Sequence, residues 1–260
     1  LAALGERVHR TEGNLNNLVG LPRTLLSADE HTTVVVAELG MNMPGEIARL
    51  SEIAVPDVGL VTSVAEVHTE GVPGLEGVAR EKGALLSALA PDAIAIATAD
   101  DAAIQPFLAA SPARKKITFG RAASATVRIV ARQVLRAGAT LELSIDVGGG
   151  MRRALEVPLA IVGEGAARNA AAALALALAL RGPSALETAA AALATVRGAP
   201  GRMELRPGAF GTLLLDDTYN ASPRATENAL EAAADVARQS GGRLVAVLGD
   251  MLELGTLEVE

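Results

Sequence analysis

The sequence predicts an α/β fold: a mostly parallel sheet flanked by helices, with a small antiparallel appendage. Short apolar segments rich in Val, Ile and Leu alternate with longer Ala- and Leu-rich stretches, and this alternation favours parallel strands. The alternation breaks between residues 116 and 158, where several strand-like segments follow one another around a Gly-Gly-Gly turn. We expect the antiparallel appendage in that part of the chain.

Eight strands are predicted from apolar segments bounded by polar, Gly or Pro residues. They cover residues 32–38, 57–63, 92–97, 116–119, 127–134, 140–147, 212–216 and 243–248. Helices are predicted where apolar residues recur with helical spacing, at residues 75–89, 101–108, 166–180, 186–195 and 223–238. Two further helices are expected to start near Leu18 and at Glu46.

A domain boundary is predicted near residue 200. The segment Gly-Ala-Pro-Gly-Arg at residues 198–202 separates two Ala-rich helices from a new series of strands and helices, and such Gly/Pro clusters mark linkers. Residues 1–199 form the first predicted domain, and residues 200–260 begin a second, Rossmann-like one. The 260-residue chain is half apolar and a fifth charged, which suits a substantial core.

The composition excludes several classes of protein. With 23 basic against 30 acidic residues the net charge is −7, so the chain lacks the positive field that attracts nucleic acid or anionic lipid. The absence of cysteine rules out disulfides and thiolate metal sites. The longest apolar run ends at Arg181, well short of the roughly 20 residues that a membrane span needs. We therefore expect a soluble protein without a nucleic-acid partner.

Polar side chains follow several predicted strands at the point where each strand ends. Glu38 is the last residue of the first strand, His68 comes shortly after the second, and Asp216 and Asp217 lie at the end of the seventh. In open α/β sheets ligands bind beyond the carboxyl ends of the strands, so these residues are candidates for a binding site. The alternatives are a solvated surface histidine and acidic residues that cap turns.

Lys82 is of interest because the chain has three lysines and twenty arginines. A partly buried lysine can lose its proton and act as a nucleophile or react with carbon dioxide, which an arginine cannot do. The alternative is a surface lysine whose charged end reaches solvent. A second unusual feature is the asparagine cluster Thr-Glu-Gly-Asn-Leu-Asn-Asn at residues 11–17, whose alternative interpretation is a turn that caps the next helix.

Taken together and in order, seven segments resemble the Mur ligases of bacterial cell-wall synthesis. They are residues 11–22, 38–50, 61–86, 168–173, 201–204, 216–223 and 247–255. The set is specific because it spans nearly the whole chain. The segments Asp-Asp-Thr-Tyr-Asn-Ala-Ser-Pro and Leu-Gly-Asp-Met-Leu-Glu-Leu-Gly are most similar to the family members that add D-alanyl-D-alanine.

The resemblance implies the central ATPase domain of that family followed by the start of its C-terminal domain. It also implies an ATP-dependent amide ligase of peptidoglycan precursor synthesis, which adds D-alanyl-D-alanine to UDP-N-acetylmuramoyl-tripeptide in the cytoplasm. The tripeptide carboxylate would attack the γ-phosphate of ATP to form an acyl phosphate, and the dipeptide amine would then displace phosphate. ATP and Mg²⁺ are the implied cofactors, and a monomer is the implied assembly.

Three residues match the catalytic and metal positions of the family. Glu38 and His68 match residues that hold magnesium near the γ-phosphate. Lys82 matches a lysine that becomes an N-carbamate, an anionic oxygen group suited to a hard cation. Because Glu38 and His68 both follow strands predicted to be parallel, we expect them to reach one magnesium ion together with Lys82.

Other residues match the nucleotide and substrate positions of the family. Asn169 matches a contact to adenine. Arg202 and Asp217 match phosphate and ribose contacts that the C-terminal domain supplies, and Tyr219 and Asn220 flank them. The positions that face the UDP-linked substrate are matched by Thr11, Asn14, Asn16 and Asn17.

The sequence also departs from the family pattern. The family's phosphate loop ends in Gly-Lys-Thr, and no such tripeptide occurs here. We therefore expect a fragment that lacks the phosphate loop, the N-terminal domain and most of the C-terminal domain, and that is inactive alone. Gly165-Ala166 stands where relatives carry His-Asn. Two alternatives remain: a non-catalytic nucleotide-binding or interaction module derived from a Mur ligase, and another peptide ligase such as a folylpolyglutamate synthetase.

Overall fold

The structure, a computed structural model, describes residues 1–65, 72 and 74–251, so His68 and the end of the last family-like segment lie outside it. Within these residues the chain forms ten strands and seven α-helices. The strands are β1 (Val8–Arg10), β2 (Val34–Val36), β3 (Val58–Val61), β4 (Ile94–Thr98), β5 (Lys115–Gly120), β6 (Val127–Leu135), β7 (Gly138–Gly148), β8 (Met151–Leu159), β9 (Glu204–Pro207) and β10 (Leu213–Asp216). The α-helices are α1 (Gly20–Leu26), α2 (Glu46–Ala54), α3 (Gly74–Ser87), α4 (Gln105–Ala110), α5 (Glu164–Arg181), α6 (Leu186–Leu193) and α7 (Pro223–Ser240).

Strands β3 to β8 form one six-stranded sheet in the order β3-β4-β5-β6-β7-β8. Neighbouring strands from β3 to β6 run parallel, whereas β6, β7 and β8 run antiparallel. The predicted α/β fold with a mostly parallel sheet and an antiparallel part is confirmed. The antiparallel strands continue the main sheet directly, because β5 and β6 pair in parallel where Phe119 lies opposite Val127.

Both faces of the six-stranded sheet are covered. On one face, α5 and α6 pack over buried side chains that include Ile96, Phe119 and Leu141. On the other face, α2, α3 and α4 enclose a second apolar core that contains Leu50 and Leu86. No helix in the described ranges is long and apolar enough to span a membrane.

Two short sheets accompany the main one. Strands β1 and β2 pair in parallel, and β9 and β10 pair antiparallel. In the described part of the chain neither pair is hydrogen-bonded to the six-stranded sheet. Strands β1 and β9 were not predicted, because sequences such as Val8-His-Arg10 are too short and too polar to carry an apolar pattern.

Two predicted elements differ from the structure. The helix expected at residues 101–108 is a 3-10 turn, Ala102–Ile104, followed by α4, in which Pro106 occupies the first turn where no N–H is needed. The strand expected at residues 243–248 is absent from the described residues, so that prediction is wrong. Val247 is 92% exposed there, and an apolar segment forms a strand only where a neighbour satisfies its backbone groups.

Strands β9 and β10 and helix α7 form a small unit after residue 200. Its core consists of Val162, Ala232 and Val236 with partly buried neighbours. Because Val162 precedes α5, this core joins the unit to the larger sheet. Ser222 caps the start of helix α7, because its Oγ accepts the N–H of Ala225 at 3.3 Å, and Gly241 caps the end in a left-handed conformation.

Candidate functional site

The loop before α1 and the end of β2 meet at Glu38. The Asn16 side-chain amide donates to Glu38 Oε1 at 3.0 Å, and the Glu38 N–H donates to Thr11 Oγ1 at 2.9 Å. The Gly40 N–H donates to the Asn16 carbonyl at 2.8 Å, which closes the group. The structure therefore brings together Thr11, Asn16 and Glu38, which the family resemblance matches to substrate and metal positions.

The other two asparagines are arranged differently. Asn17 Oδ1 accepts the N–H groups of Val19 and Gly20, at 3.1 and 2.8 Å, so its side chain caps the start of α1. Asn14 is exposed, and its carbonyl accepts the N–H of Asn16. The capping interpretation of this cluster thus applies to Asn17, while Asn16 is turned toward the carboxylate of Glu38.

Lys82 lies in α3, and its side-chain amine is hydrogen-bonded within the protein. Its Nζ donates to the Ser63 carbonyl oxygen at 2.8 Å, just beyond β3. Burial lowers the pKa of Lys82 below its ordinary value, and the negative charge of Asp101 opposes part of that change. The amine is therefore easier to deprotonate than that of a surface lysine, which is the property that reaction with carbon dioxide requires.

Glu81, the residue before Lys82, accepts a hydrogen bond from the loop before α2. Glu81 is 9% exposed, and its Oε2 accepts the N–H of Gly45 at 2.8 Å. Gly45 has a φ of 87° and precedes α2, in a loop that follows Glu38. Helix α3 thus contacts both the loop after β3, through Lys82, and the loop before α2, through Glu81.

The structure removes one reason for expecting Glu38 and His68 to bind the same magnesium ion. Strand β2, which precedes Glu38, belongs to a different sheet from β3 in the described chain, so the two ends are not adjacent in one sheet. The described residues contain no group of three or more His, Cys, Asp or Glu side chains placed to hold a metal. The carboxylate of Glu38 is an oxygen donor of the kind that magnesium prefers. His68 is not among the residues that the structure describes.

A second group of predicted residues gathers at the start of α7. A small pocket is lined by Gly201, Arg202, Asp217, Tyr219, Asn220, Ala221, Ser222 and Ala225. The Arg202 guanidinium lies 4.0 Å from the centre of the Tyr219 ring, a cation–π contact. Asp217 Oδ1 accepts the N–H of Met203 at 3.0 Å, and the Tyr219 N–H donates to the Gly201 carbonyl at 2.9 Å.

This pocket combines features that suit a phosphorylated ligand. A guanidinium and the N-terminus of an 18-residue helix both favour negative charge. Gly201 permits the close packing: its φ is 69°, and a Cβ there would lie 3.1 Å from the Tyr219 nitrogen. Asn169, the residue matched to adenine, is exposed in the second turn of α5 and does not line the pocket.

The sequence reasoning missed two residues that organise the carboxyl end of the sheet. Asp101 Oδ2 accepts the N–H of Val64 at 2.8 Å, and Asp100 Oδ1 accepts the N–H groups of Arg121 and Ala122, each at 2.8 Å. Both acids follow β4 directly, which is the same signal that selected Glu38. Together they fix the loops after the neighbouring strands β3 and β5.

The chain belongs to the Mur ligase family. Residues 1–177 match the Mur ligase middle domain, and residues 201–259 match the Mur ligase, glutamate ligase domain. The resemblance inferred from the seven sequence segments is thereby confirmed.

Within the family, the chain is similar to members that are named for one particular reaction. The chain is 33% identical over 252 residues to the UDP-N-acetylmuramoyl-tripeptide--D-alanyl-D-alanine ligase of Bacillus subtilis, covering 97% of this chain and 52% of the relative. It superposes on a crystal structure of MurF from Acinetobacter baumannii with a TM-score of 0.85 and 33% identity, over 98% of this chain and 53% of that one. For MurF of Thermotoga maritima, solved in complex with ADP, the TM-score is 0.78 and the identity 27%, over 90% and 52%. The chain spans about half the length of these relatives.

Proposed function

We propose that the protein is an ATP-dependent amide ligase that adds D-alanyl-D-alanine to UDP-N-acetylmuramoyl-tripeptide in the cytoplasm, as a monomer. Family membership and a relative named for this reaction support the proposal. The observation within this chain that carries it is Lys82, a desolvated lysine bonded to the Ser63 carbonyl beside the carboxyl end of β3. The alternative, a non-catalytic module, gives no reason to bury this amine.

Lys82 would act as an N-carbamate. The neutral amine attacks carbon dioxide, an N–C bond forms and one proton leaves, so the product is an anionic carbamate. A lowered pKa increases the fraction of neutral amine at a given pH. The carbamate keeps one N–H, which can still donate to the Ser63 carbonyl, and its two oxygens become available to orient a phosphoryl group.

Glu38 would hold magnesium together with His68 and the carbamate on Lys82. The assignment of this set depends on the match to the family's sequence pattern, and in this chain the oxygen chemistry of Glu38 fits it. A bound magnesium ion would supply positive charge that offsets the charge of the phosphates. Asn16, which donates to Glu38 Oε1 at 3.0 Å, would orient the carboxylate.

Two further sets of residues would bind the substrates. In the second domain, which we propose begins at residue 200, Arg202 and Asp217 would contact the phosphates and ribose of ATP, flanked by Tyr219 and Asn220. Asn169 in the first domain, residues 1–199, would contact adenine. The UDP-linked substrate would lie against the loop that contains Thr11, Asn14, Asn16 and Asn17.

The protein's own residues would then bring together two anions, the tripeptide carboxylate and the polyphosphate of ATP. The tripeptide carboxylate oxygen attacks the γ-phosphorus, the bond to ADP breaks, and an acyl phosphate forms. The dipeptide amine attacks the acyl carbon, a proton leaves the nitrogen, and phosphate departs with the former carboxylate oxygen. Arg202 lowers the repulsion between the polyphosphate and the carboxylate, which would otherwise oppose contact.

The test separates the lysine chemistry from the ligation. Carbon-13 NMR of the chain in labelled bicarbonate is expected to give a carbamate resonance that both Lys82→Ala and the charge-conserving Lys82→Arg remove, whereas a carbamate on the α-amino group persists in both variants. The complete gene product is expected to form the amide with ATP, magnesium and both substrates. Nucleotide binding with neither a carbamate nor an amide would contradict the proposal and support the non-catalytic module.

A further inference from the structure

We propose that Arg132 is a positioning residue that fixes the second domain against the first and thereby aligns the two halves of the ATP site. The location of that site rests on the proposed function. The contacts that define the role are independent of it. They join strand β6 to the first residue of α5 and to α7.

One guanidinium contacts carboxylates from both domains. Arg132 Nη2 donates to Asp235 Oδ2 of α7 at 2.8 Å, and its Nε lies 3.4 Å from Glu164 Oε2 at the start of α5. The side chain of Arg132 is 15% exposed, and those of Asp235 and Glu164 are each 20% exposed. Charge pairs that are largely removed from water are screened much less than surface pairs, so their geometry is better defined.

One carboxylate lies on the helix that bears Asn169, and the other lies on the helix whose start lines the pocket of candidate ATP residues. Glu164 begins α5, and Asn169 follows it in the second turn of the same helix. Asp235 lies in α7, which begins at Ser222 on the wall of the pocket that contains Arg202. Because a helix is rigid over a few turns, holding Glu164 and Asp235 on one side chain sets the position of Asn169 relative to the start of α7, which lines the pocket.

Neighbouring groups hold both carboxylates in place. Arg121 binds Glu164 through two bonds, from Nε at 2.6 Å and from Nη2 at 2.8 Å, and Arg238 donates to Asp235 Oδ1. Burial alone would raise the pKa of Asp235, but the bonds from Arg132 and Arg238 outweigh it and lower the pKa. Asp235 therefore remains an anion at neutral pH.

The apolar part of the domain contact has few fully buried residues. Its core is Val162, Ala232 and Val236, and it depends on Gly163, where a Cβ would lie 3.3 Å from the Ala232 Cβ. Arg132 Nη1 is buried and has no hydrogen-bond partner among the described residues. The free-energy cost of this unpaired group offsets part of the stabilisation that the ion pairs provide. Small interfaces of this kind permit domain motion, so the ion pairs would select one orientation from several.

The test measures the orientation and its consequence separately. The chain has no cysteine, so Ala154→Cys in β8 and Gln239→Cys in α7 give two unique sites for spin labels. Asp235→Asn and Arg132→Gln are each expected to broaden the distance distribution measured by pulsed electron paramagnetic resonance. In the complete gene product both are expected to raise the KM for ATP about 5- to 20-fold, with a smaller effect on kcat, and the double variant is expected to add little.

Glu187→Gln is the matched control, because Glu187 pairs with Arg153 at 2.5 Å inside the first domain and should change neither quantity. Asp235→Asn keeps the size of the side chain, so it remains informative if Arg132→Gln fails to fold. An unchanged distance distribution in a folded Asp235→Asn protein would overturn the proposal, as would a broadened distribution with an unchanged KM for ATP. If the wild-type gene product ligates nothing, the proposed function fails, and the distance measurement still decides whether Arg132 fixes the domains.

Discussion

Lys82 and Asp101 hold opposite ends of one peptide group. Lys82 Nζ donates to the Ser63 carbonyl oxygen, and the Val64 N–H donates to Asp101 Oδ2, both at 2.8 Å. The carbonyl and the N–H belong to the same peptide bond, so the loop after β3 is fixed from α3 on one side and from the loop after β4 on the other. The position of the candidate carbamate therefore depends on Asp101 as well as on α3.

The first prediction concerns this peptide group. Asp101→Ala leaves the partly buried Val64 N–H without its acceptor, and we expect a loss of about 1–3 kcal/mol in the free energy of unfolding. Asp101→Asn keeps an oxygen that can accept the same N–H and should recover most of that loss. Urea denaturation measures both variants, with the exposed Asp92→Ala as the control. Equal losses for Asp101→Ala and Asp101→Asn would show that the hydrogen bond is not the cause.

The second prediction is chemical rescue at Lys82. In the complete gene product, Lys82→Ala is expected to abolish ligation while substrate affinity is largely retained, because the proposed carbamate would orient the phosphoryl group without anchoring the substrates. A short-chain carboxylic acid can occupy the space of the carbamate and should restore part of the rate. Steady-state kinetics with increasing acetate checks this. Wild-type turnover in Lys82→Ala would refute the role.

The third prediction is a pH dependence of stability. Burial lowers the pKa of Lys82 from its ordinary value of 10.5, so between the lowered pKa and 10.5 the unfolded chain binds more protons than the folded chain. Stability contributed by this residue therefore rises with pH across that window and is smallest below it. The free energy of unfolding of the wild type minus that of Lys82→Met, measured without bicarbonate, should increase with pH. A flat or falling difference would mean that Lys82 is not desolvated.

The fourth prediction tests the packing that places α3. A Cβ at Gly83 would lie 2.3 Å from Phe107 Cγ, so α3 can approach α4 only because residue 83 is glycine. Gly83→Ala is expected to cost about 1–3 kcal/mol of unfolding free energy through overpacking. Combining it with Phe107→Ala should cost less than the sum of the two single changes. Strict additivity in thermal or chemical unfolding would contradict this contact.

Long local patterns made part of the fold predictable. Strand β4 and helix α5 have uninterrupted apolar or Ala/Leu-rich sequences, and the structure places them within a few residues of the predicted bounds. Their identity depends on residues close in the chain, which is the information that a periodic pattern contains.

Features that depend on distant partners were less predictable. Residues 243–248 have the composition of a strand but no paired neighbour in the described chain, whereas the polar β1 forms because β2 lies beside it. In the candidate site, Glu38 and Lys82 could be selected from their positions in the sequence, but the partner of each could not. That Asp101 shares a peptide group with Lys82 follows only from the folded loops.

We propose that the amide forms through an acyl phosphate. The most direct measurement uses UDP-N-acetylmuramoyl-tripeptide labelled with oxygen-18 in its terminal carboxylate, incubated with the complete gene product, ATP, magnesium and D-alanyl-D-alanine. Because a carboxylate oxygen attacks the γ-phosphorus and leaves with it, each amide formed should release one phosphate that contains one labelled oxygen. Amide accompanied by unlabelled phosphate, or ATP hydrolysis without amide, would contradict an acyl phosphate mechanism.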